Sequence, residues 1–138
     1  MLLAIDDDSG RYDGLRLYLR DRLDHSGKHI DLKVVCCAAC IDKYLPEATA
    51  ILLDYDLDSG ELCAECGSWP EQLKSMAYIN KIIARNVPTI VTSCSDWQNV
   101  MSLSYMLSKH KVLTAQHNAH ETECELRWLG RLAIWGVL

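Results

Sequence analysis

Residues 2–8, Leu-Leu-Ala-Ile-Asp-Asp-Asp, are a short apolar run that ends abruptly in three acidic residues. Residues 50–56, Ala-Ile-Leu-Leu-Asp-Tyr-Asp, repeat this arrangement in the middle of the chain. A continuous apolar run of this length is typical of a strand that is buried on both faces of a parallel sheet. The two stretches therefore predict strands at residues 2–5 and 50–53, each followed directly by carboxylates.

The rest of the chain alternates strand-like apolar runs with helical patterns. Further strands are predicted at residues 30–37, 88–92 and 112–115. Helices are predicted from a cap at Ser9 to Gly27, and at residues 41–45, 71–85, 97–109 and 120–135. Five strands that alternate with helices indicate one α/β domain over residues 1–138, a doubly wound parallel sheet with helices on both faces. Ligands of such sheets bind outside the carboxyl ends of the strands.

The composition is that of an acidic globular protein. The 138 residues are 49% hydrophobic and 24% charged, with a formal net charge of −5. No basic patch typical of generic nucleic-acid binding is visible, and no apolar run approaches the roughly 18 residues of a membrane span. The start of the chain lacks the basic segment of a signal peptide and becomes acidic at Asp6. These features predict a cytoplasmic protein that is not held in a membrane.

Carboxylates follow two of the predicted strands, and hydroxyl groups follow a third. In chain order, these polar residues are Asp6, Asp7, Asp8, Asp54, Asp56, Thr92 and Ser93. Oxygen ligands at one edge of a sheet suit Mg²⁺, which usually binds through one or two carboxylates and retains several waters. We therefore predict a Mg²⁺ site at Asp6, Asp7, Asp8 and Asp54, where a hydroxyl group could bond a phosphoryl oxygen. A solvated cluster of acidic loop residues is the alternative.

The cysteines form a second pattern. Cys37-Ala-Ala-Cys40 and Cys63-Ala-Glu-Cys66 are two C-x-x-C pairs separated by 22 residues. Paired units of this kind often bind structural Zn²⁺, and both pairs would lie at the ligand edge of the sheet. Since no export signal is visible, a metal site or free thiols are favoured over disulfides. Cys37, Cys40, Cys63 and Cys66 are therefore candidate zinc ligands, and buried or exposed free thiols are the alternative.

The strand-end motifs resemble the receiver domains of two-component signalling. The matching stretches are residues 3–8, 51–54 and 90–93. The resemblance implies the receiver, or flavodoxin-like, fold with strand order 2-1-3-4-5. It also implies an acidic pair that binds Mg²⁺, a phosphoryl-accepting Asp54, and a hydroxyl group at Thr92 or Ser93. The lysine that follows the fifth strand in that family has no counterpart, because Lys111 precedes the predicted strand and Gln116 and His117 follow it.

The chain is more similar in detail to a receiver-derived family predicted to process cyclic phosphates, which is often found in phage and bacterial genomes. That family has an acidic pair followed by an arginine, then Leu-Asp-His-Asp-Leu, then a strand that ends in serine. The matching residues here are Arg11, the segment 53–57 and Ser93, with Tyr55 in place of the histidine. The resemblance implies a Mg²⁺-dependent phosphoesterase that acts on a nucleotide or an RNA-end phosphate, of a kind that phage genomes encode.

These motifs lead to two hypotheses of function. In the first, the protein is an enzyme that acts on a phosphate-bearing small molecule or RNA end. The catalytic residues would be Asp54, Asp56 and Ser93, and the phosphate-binding residues would be Arg11, Thr92 and Ser93. In the second, the chain is a non-catalytic receiver-like module that regulates or docks a protein partner. The apolar C-terminal helix should mostly cover the sheet, and any exposed remainder would mark a homodimer or partner surface.

Overall fold

The strands form one all-parallel sheet. The computed structural model describes residues 1–92, 96–117 and 124–138, with side chains from residue 127 onward in the last range. The strands are β1 (Leu2–Ile5), β2 (Leu32–Val35), β3 (Ala50–Leu53), β4 (Thr89–Val91) and β5 (Thr114–Gln116). Their order across the sheet is β2-β1-β3-β4-β5. This flavodoxin-like arrangement confirms the predicted fold class.

Helices cover both faces of the sheet. In the described part of the chain the α-helices are α1 (Asp13–Arg20), α2 (Ala38–Tyr44), α3 (Ile79–Arg85), α4 (Trp97–Lys109) and α5 (Cys124–Ile134). Helices α2, α3 and α4 share one core with Ile5 and Leu53, whereas α1 and α5 share the other with Ala4 and Leu52. Because successive side chains of a strand point to opposite faces, both faces of these apolar strands are buried.

Helix α1 is shorter than the sequence predicts. It begins at Asp13 after a 3₁₀ turn at Ser9–Tyr12, whose N-cap residue is Asp8, so the prediction that Ser9 caps the helix is wrong. The helix ends at Arg20 rather than near Gly27. Leu23, which the helical spacing places on the inner face, is consequently 55% exposed.

The segment before α3 is extended where the sequence predicts a helix. The Leu57 N–H donates to the Leu73 carbonyl at 2.8 Å, and Asp56 forms an isolated antiparallel bridge with Lys74. Because Leu73 and Lys74 pair through their backbones with residues 57 and 56, they do not form the first turn of a helix. A 3₁₀ turn at Ser75–Tyr78 follows, and α3 itself begins only at Ile79.

The C-terminal helix mainly covers the sheet, as predicted. Trp128 and Leu132 of α5 are fully buried, whereas Ile134 is 77% exposed. The predicted start of this helix at residue 120 lies outside the described residues. Within the described ranges, no helix is both long and apolar enough to cross a lipid bilayer.

Candidate functional site

Three carboxylates from two strands meet at the predicted edge of the sheet. Ile5 and Leu53 are paired neighbours in β1 and β3, so the residues that follow them, Asp6 and Asp54, come next to each other. One carboxylate oxygen each from Asp6, Asp7 and Asp54 lies within 4.8 Å of the other two, and all three residues are buried. Buried oxygen ligands this close could hold a divalent metal ion. We call Asp6, Asp7 and Asp54 the acidic cluster.

Two neighbouring side chains hold the Asp6 carboxylate in place. The Arg11 Nη1 lies 2.6 Å from Asp6 Oδ2 and 3.5 Å from Asp54 Oδ2. The Tyr12 hydroxyl donates a hydrogen bond of 2.7 Å to the same Asp6 oxygen. Arg11 is thus the positive charge that balances the cluster when no metal is bound. The sequence predicts Arg11 at this site, whereas Tyr12 lies within a predicted helix and carries no sequence signal for such a role.

Tyr12 connects the acidic cluster to the core on the α1–α5 face. Its ring is fully buried and stacks on Trp128 with the ring centroids 5.4 Å apart. Burial, and then the negative charge of Asp6, raise the pKa of the Tyr12 hydroxyl well above its usual value. Tyr12 therefore stays protonated and acts as a fixed hydrogen-bond donor to Asp6. A helical spacing pattern alone could not distinguish this tyrosine from an ordinary packing residue.

Burial, and then the neighbouring Asp54 charge, raise the proton affinity of Asp6. Burial raises its pKa from 3.8 to about 7, the Asp54 charge adds to the rise, and Arg11 partly opposes it. In the metal-free protein, Asp6 is therefore largely protonated at pH 6 and largely ionised at pH 8. A cation that binds Asp6 must displace this proton below pH 7.

This proton competition leads to a pH-dependent affinity for Mg²⁺. We expect the dissociation constant of Mg²⁺ to fall about tenfold between pH 6 and pH 8, because one proton with a pKa near 7 is released on binding. Isothermal titration calorimetry in buffers of different ionisation enthalpy measures both the affinity and the released proton. An affinity that is the same at pH 6 and pH 8, with no proton released, would contradict this prediction.

Asp7 and Asp8 have different surroundings. The Ser59 N–H donates to Asp7 Oδ2 at 2.5 Å, which links the cluster to the segment after β3. Asp8 is the residue before the 3₁₀ turn, and its side chain is 44% exposed, with Oδ2 3.9 Å from Arg11 Nη2. The structure therefore places Asp8 at the rim of the site, outside the group of three that could share a metal.

Asp56 is paired with a lysine that sequence reasoning missed. The Lys74 ammonium group donates to Asp56 Oδ1 and lies 3.6 Å from Asp58 Oδ2. The hydrogen bond with Asp56 raises the pKa of Lys74 above its usual value. Lys74 falls in the helix predicted at residues 71–85, and no signal in the sequence indicates that an extended segment brings it beside Asp56.

The hydroxyl group predicted at the end of β4 is next to the acidic cluster. The Thr92 N–H bonds to the Leu53 carbonyl at 2.9 Å, so Thr92 and Asp54 follow neighbouring strands. The Thr92 side chain is fully buried. Its hydroxyl interacts with the Tyr12 hydroxyl, although no hydrogen bond of normal geometry forms within the described residues. Ser93, the other predicted hydroxyl donor, lies outside the described residues.

A small open cavity of about 200 Å³ adjoins the acidic cluster. Its walls come from the loops after β1 and β3. It is lined by Asp7, Asp8, Arg11, Asp54, Asp56, Asp58, Ser59 and Glu61. Six carboxylates and one guanidinium group face this space, so an anion could enter only together with a cation that offsets the repulsion.

The four cysteines of the two C-x-x-C pairs also meet. Their sulfur atoms all lie within 4.8 Å of one another, and the Sγ atoms of Cys37 and Cys66 are 3.3 Å apart. Cys37, Cys40 and Cys63 are buried and Cys66 is exposed. We call these four residues the cysteine cluster, and its arrangement could hold a metal ion.

Comparison with known proteins does not assign the chain to a family. No family model matches it, and no curated protein has a significant match to its sequence. The flavodoxin-like fold and the two clusters are therefore the observations on which a function can be argued, because a fold by itself does not determine function.

Proposed function

We propose that the acidic cluster binds Mg²⁺ and that the protein is a Mg²⁺-dependent phosphoesterase acting on a nucleotide or RNA-end phosphate, including a cyclic phosphate. The observation that carries the proposal is the meeting of Asp6, Asp7 and Asp54 within 4.8 Å at the carboxyl edge of the sheet. That edge is where ligands bind in doubly wound α/β proteins.

The charge of the cavity favours Mg²⁺ as the partner of a phosphate. Most of the groups that line the cavity are carboxylates, and they would repel a bare phosphate group. The cluster would hold the ion through Asp6, Asp7 and Asp54. When bound, Mg²⁺ offsets this negative charge and polarises a phosphoryl oxygen.

The chain supplies further groups that suit a phosphate. Arg11 reaches the cavity from the turn before α1, and its guanidinium group is suited to bind phosphate oxygens. The Thr92 hydroxyl is buried beside Tyr12 and is not among the groups that line the cavity, so its role as a donor to a phosphoryl oxygen is assigned from its place at the end of β4. Ser93 is assigned the same role from its place in the sequence.

Asp56 is the group proposed to move a proton. It lines the cavity, and Lys74 orients its carboxylate by a direct hydrogen bond. In ester hydrolysis, Asp56 would take a proton from the attacking water as the phosphorus–oxygen bond to the leaving group breaks. The leaving oxygen would then be protonated by solvent or by Asp56 itself.

The size of the cavity limits what part of a ligand it can enclose. At about 200 Å³, it is smaller than the roughly 300–1,000 Å³ of typical small-molecule pockets. It therefore suits a phosphate group with its cation, while the rest of a nucleotide would lie outside on the open side. This favours a terminal or cyclic phosphate as the substrate over recognition of a whole nucleotide.

A hydrolysis assay tests the proposed activity. We expect the wild-type protein with Mg²⁺ to release product from at least one of a panel of linear and 2′,3′-cyclic nucleotides and RNA ends. Asp54→Asn should abolish the activity, and Asp21→Asn should retain it, because Asp21 is exposed and paired with Arg20 after α1. If wild-type protein that binds Mg²⁺ turns over none of these compounds, the phosphoesterase proposal is wrong.

A non-catalytic receiver-like module is the second candidate. The absence of a lysine after β5 favours it, because the receiver domains that the chain resembles have one there. Gln116 ends β5, and Lys111 precedes that strand. In addition, Trp97, Met101 and Tyr105 lie exposed along α4 at a spacing of four residues, as a partner surface would. Mg²⁺ binding without any turnover, together with binding of a protein partner that is weakened by Tyr105→Ala, would favour this candidate.

A further inference from the structure

The segment between β3 and α3 is long and has almost no apolar anchor of its own. From Asp58 to Lys74, a range that the structure describes in full, Cys63 is the one buried residue. Neither a helix nor a strand forms in this range. Loops of this length are uncommon in compact domains, and segments with little buried apolar surface are often held by a disulfide or a metal. Burial of side chains alone does not explain the placement of this segment.

The same segment brings its own pair of cysteines, Cys63 and Cys66, next to a second pair at the start of α2. Cys37 directly precedes α2 and Cys40 lies in its first turn. Cys63 and Cys66 lie in a tight turn, closed by a 2.8 Å hydrogen bond from the Gly67 N–H to the Cys63 carbonyl. Gly67 has a φ angle of 71°, a backbone conformation that glycine adopts without strain. Both pairs are thus shaped to present two sulfur atoms to one point.

We propose that the cysteine cluster binds one Zn²⁺, which clips the β3–α3 segment to the start of α2. Four thiolates around Zn²⁺ at about 2.3 Å lie about 3.8 Å from one another in a tetrahedron. The sulfur atoms of the cluster, all within 4.8 Å, require only small adjustments to reach this geometry. The Cys37 and Cys66 sulfur atoms, 3.3 Å apart, are well beyond the bond length of a disulfide, about 2.05 Å.

The clip lies on the segment that forms one wall of the acidic cavity. Asp58, Ser59 and Glu61 line that cavity, and the Ser59 N–H holds the Asp7 carboxylate. Zinc bound a few residues further along would limit the motion of this wall. Removal of zinc should therefore free the Ser59 N–H from the Asp7 carboxylate. Any further effect of zinc on Mg²⁺ binding rests also on the proposed function.

Metal content is the first test. We expect about one Zn²⁺ per chain in reduced protein prepared with excess zinc. When Co²⁺ replaces zinc, the protein should show the absorption spectrum of Co²⁺ bound tetrahedrally by thiolates. Cys63→Ser should lose the metal. Cys36→Ala is the matched control, because Cys36 is also buried but lies outside the cluster, and it should retain the metal. Less than half a Zn²⁺ per chain in reduced wild-type protein prepared with excess zinc would overturn the proposal.

Hydrogen exchange is the second test, and it needs neither Mg²⁺ nor a substrate. When zinc is removed by a chelator under reducing conditions, we expect the protection factors of the Ser59, Cys63 and Gly67 amides to fall at least tenfold. The amides of β1 and β3 should keep theirs, which shows that the sheet remains folded. Unchanged protection of the three amides after complete zinc removal would exclude a clip. Because neither measurement requires Mg²⁺ or turnover of a substrate, a failed hydrolysis assay leaves this result unaffected.

Discussion

Asp54→Asn is expected to make the metal-free protein more stable and to weaken Mg²⁺ binding about a hundredfold or more. Asp54 and Asp6 are buried and close, and the Asp54 charge helps to raise the Asp6 pKa to about 7. The amide removes one negative charge but keeps an oxygen that can accept from the Tyr55 N–H, as Asp54 Oδ1 does at 2.9 Å. The loss of repulsion, partly offset by the loss of the Arg11–Asp54 contact at 3.5 Å, should add about 1 kcal/mol, or a few degrees in Tm, at pH 8.

The Mg²⁺ dependence of Tm measures the second half of this prediction. A ligand at about 100 times its Kd stabilises the folded state by about 2.7 kcal/mol, and the wild type should show an increase of this kind. Asp54→Asn should show almost none, while Asp21→Asn should behave as the wild type does. If Asp54→Asn gains as much stability from Mg²⁺ as the wild type does, Asp54 is not a Mg²⁺ ligand.

The fold was predictable because its signals are local and agree with one another. The apolar runs before Asp6 and Asp54 are each four residues long, too short for a helix and too apolar for a surface strand. Their alternation with helical patterns determines the class of sheet. The helix boundaries were less predictable, because Leu23 and Leu73 match a helical period but are exposed.

The candidate site was predictable only in part, and the reason is physical. Asp6, Asp7 and Asp54 directly follow strands, so the topology of the sheet determines where they meet. Tyr12 and Lys74 reach the site through packing and through an irregular segment. Tyr12 meets Asp6 because its ring stacks on Trp128, more than a hundred residues away in sequence, and no spacing rule describes such a contact.

The cysteine cluster was predictable as a sequence pattern but not as an assembled site. The two C-x-x-C pairs were visible as a pattern, but their meeting depends on where a segment without regular structure lies. The sequence could therefore name Cys37, Cys40, Cys63 and Cys66 as candidates without establishing that they come together. Their sulfur atoms do come together, and the same β3–α3 segment places Ser59 against Asp7.

Arg11→Gln is expected to have the opposite effect to Asp54→Asn on the metal-free protein. The Arg11 side chain is only 13% exposed, and its guanidinium group contacts both Asp6 and Asp54. Its removal leaves buried carboxylates without their positive partner, which typically costs about 3–5 kcal/mol for a fully buried pair. Because Asp6 can take up a proton, we expect a smaller loss, about 2–3 kcal/mol at pH 8.

The pH dependence of this loss follows from the direction of the Asp6 shift. Arg11 lowers the pKa of Asp6, so Arg11→Gln should raise it above its wild-type value of about 7. A folded state that binds more protons than the unfolded state loses stability as pH rises. The free energy of unfolding of the variant should therefore fall more steeply than that of the wild type between pH 6 and pH 8. Denaturant titrations at both pH values measure this difference.

The same variant separates the two roles proposed for Arg11, as counter-charge and as phosphate ligand. Without Arg11, no guanidinium group competes with Mg²⁺ at Asp6, so at pH 8 we expect Mg²⁺ to bind at least as tightly as in the wild type and to restore most of the lost stability. Phosphate binding in the presence of Mg²⁺ should instead weaken about tenfold or more, because a charge-assisted contact is lost. Arg20→Gln, which removes an exposed arginine paired only with Asp21 among the contacts described, should change neither affinity. Equal weakening of both affinities by Arg11→Gln would mean that Arg11 mainly supports the structure of the cluster and does not itself bind phosphate.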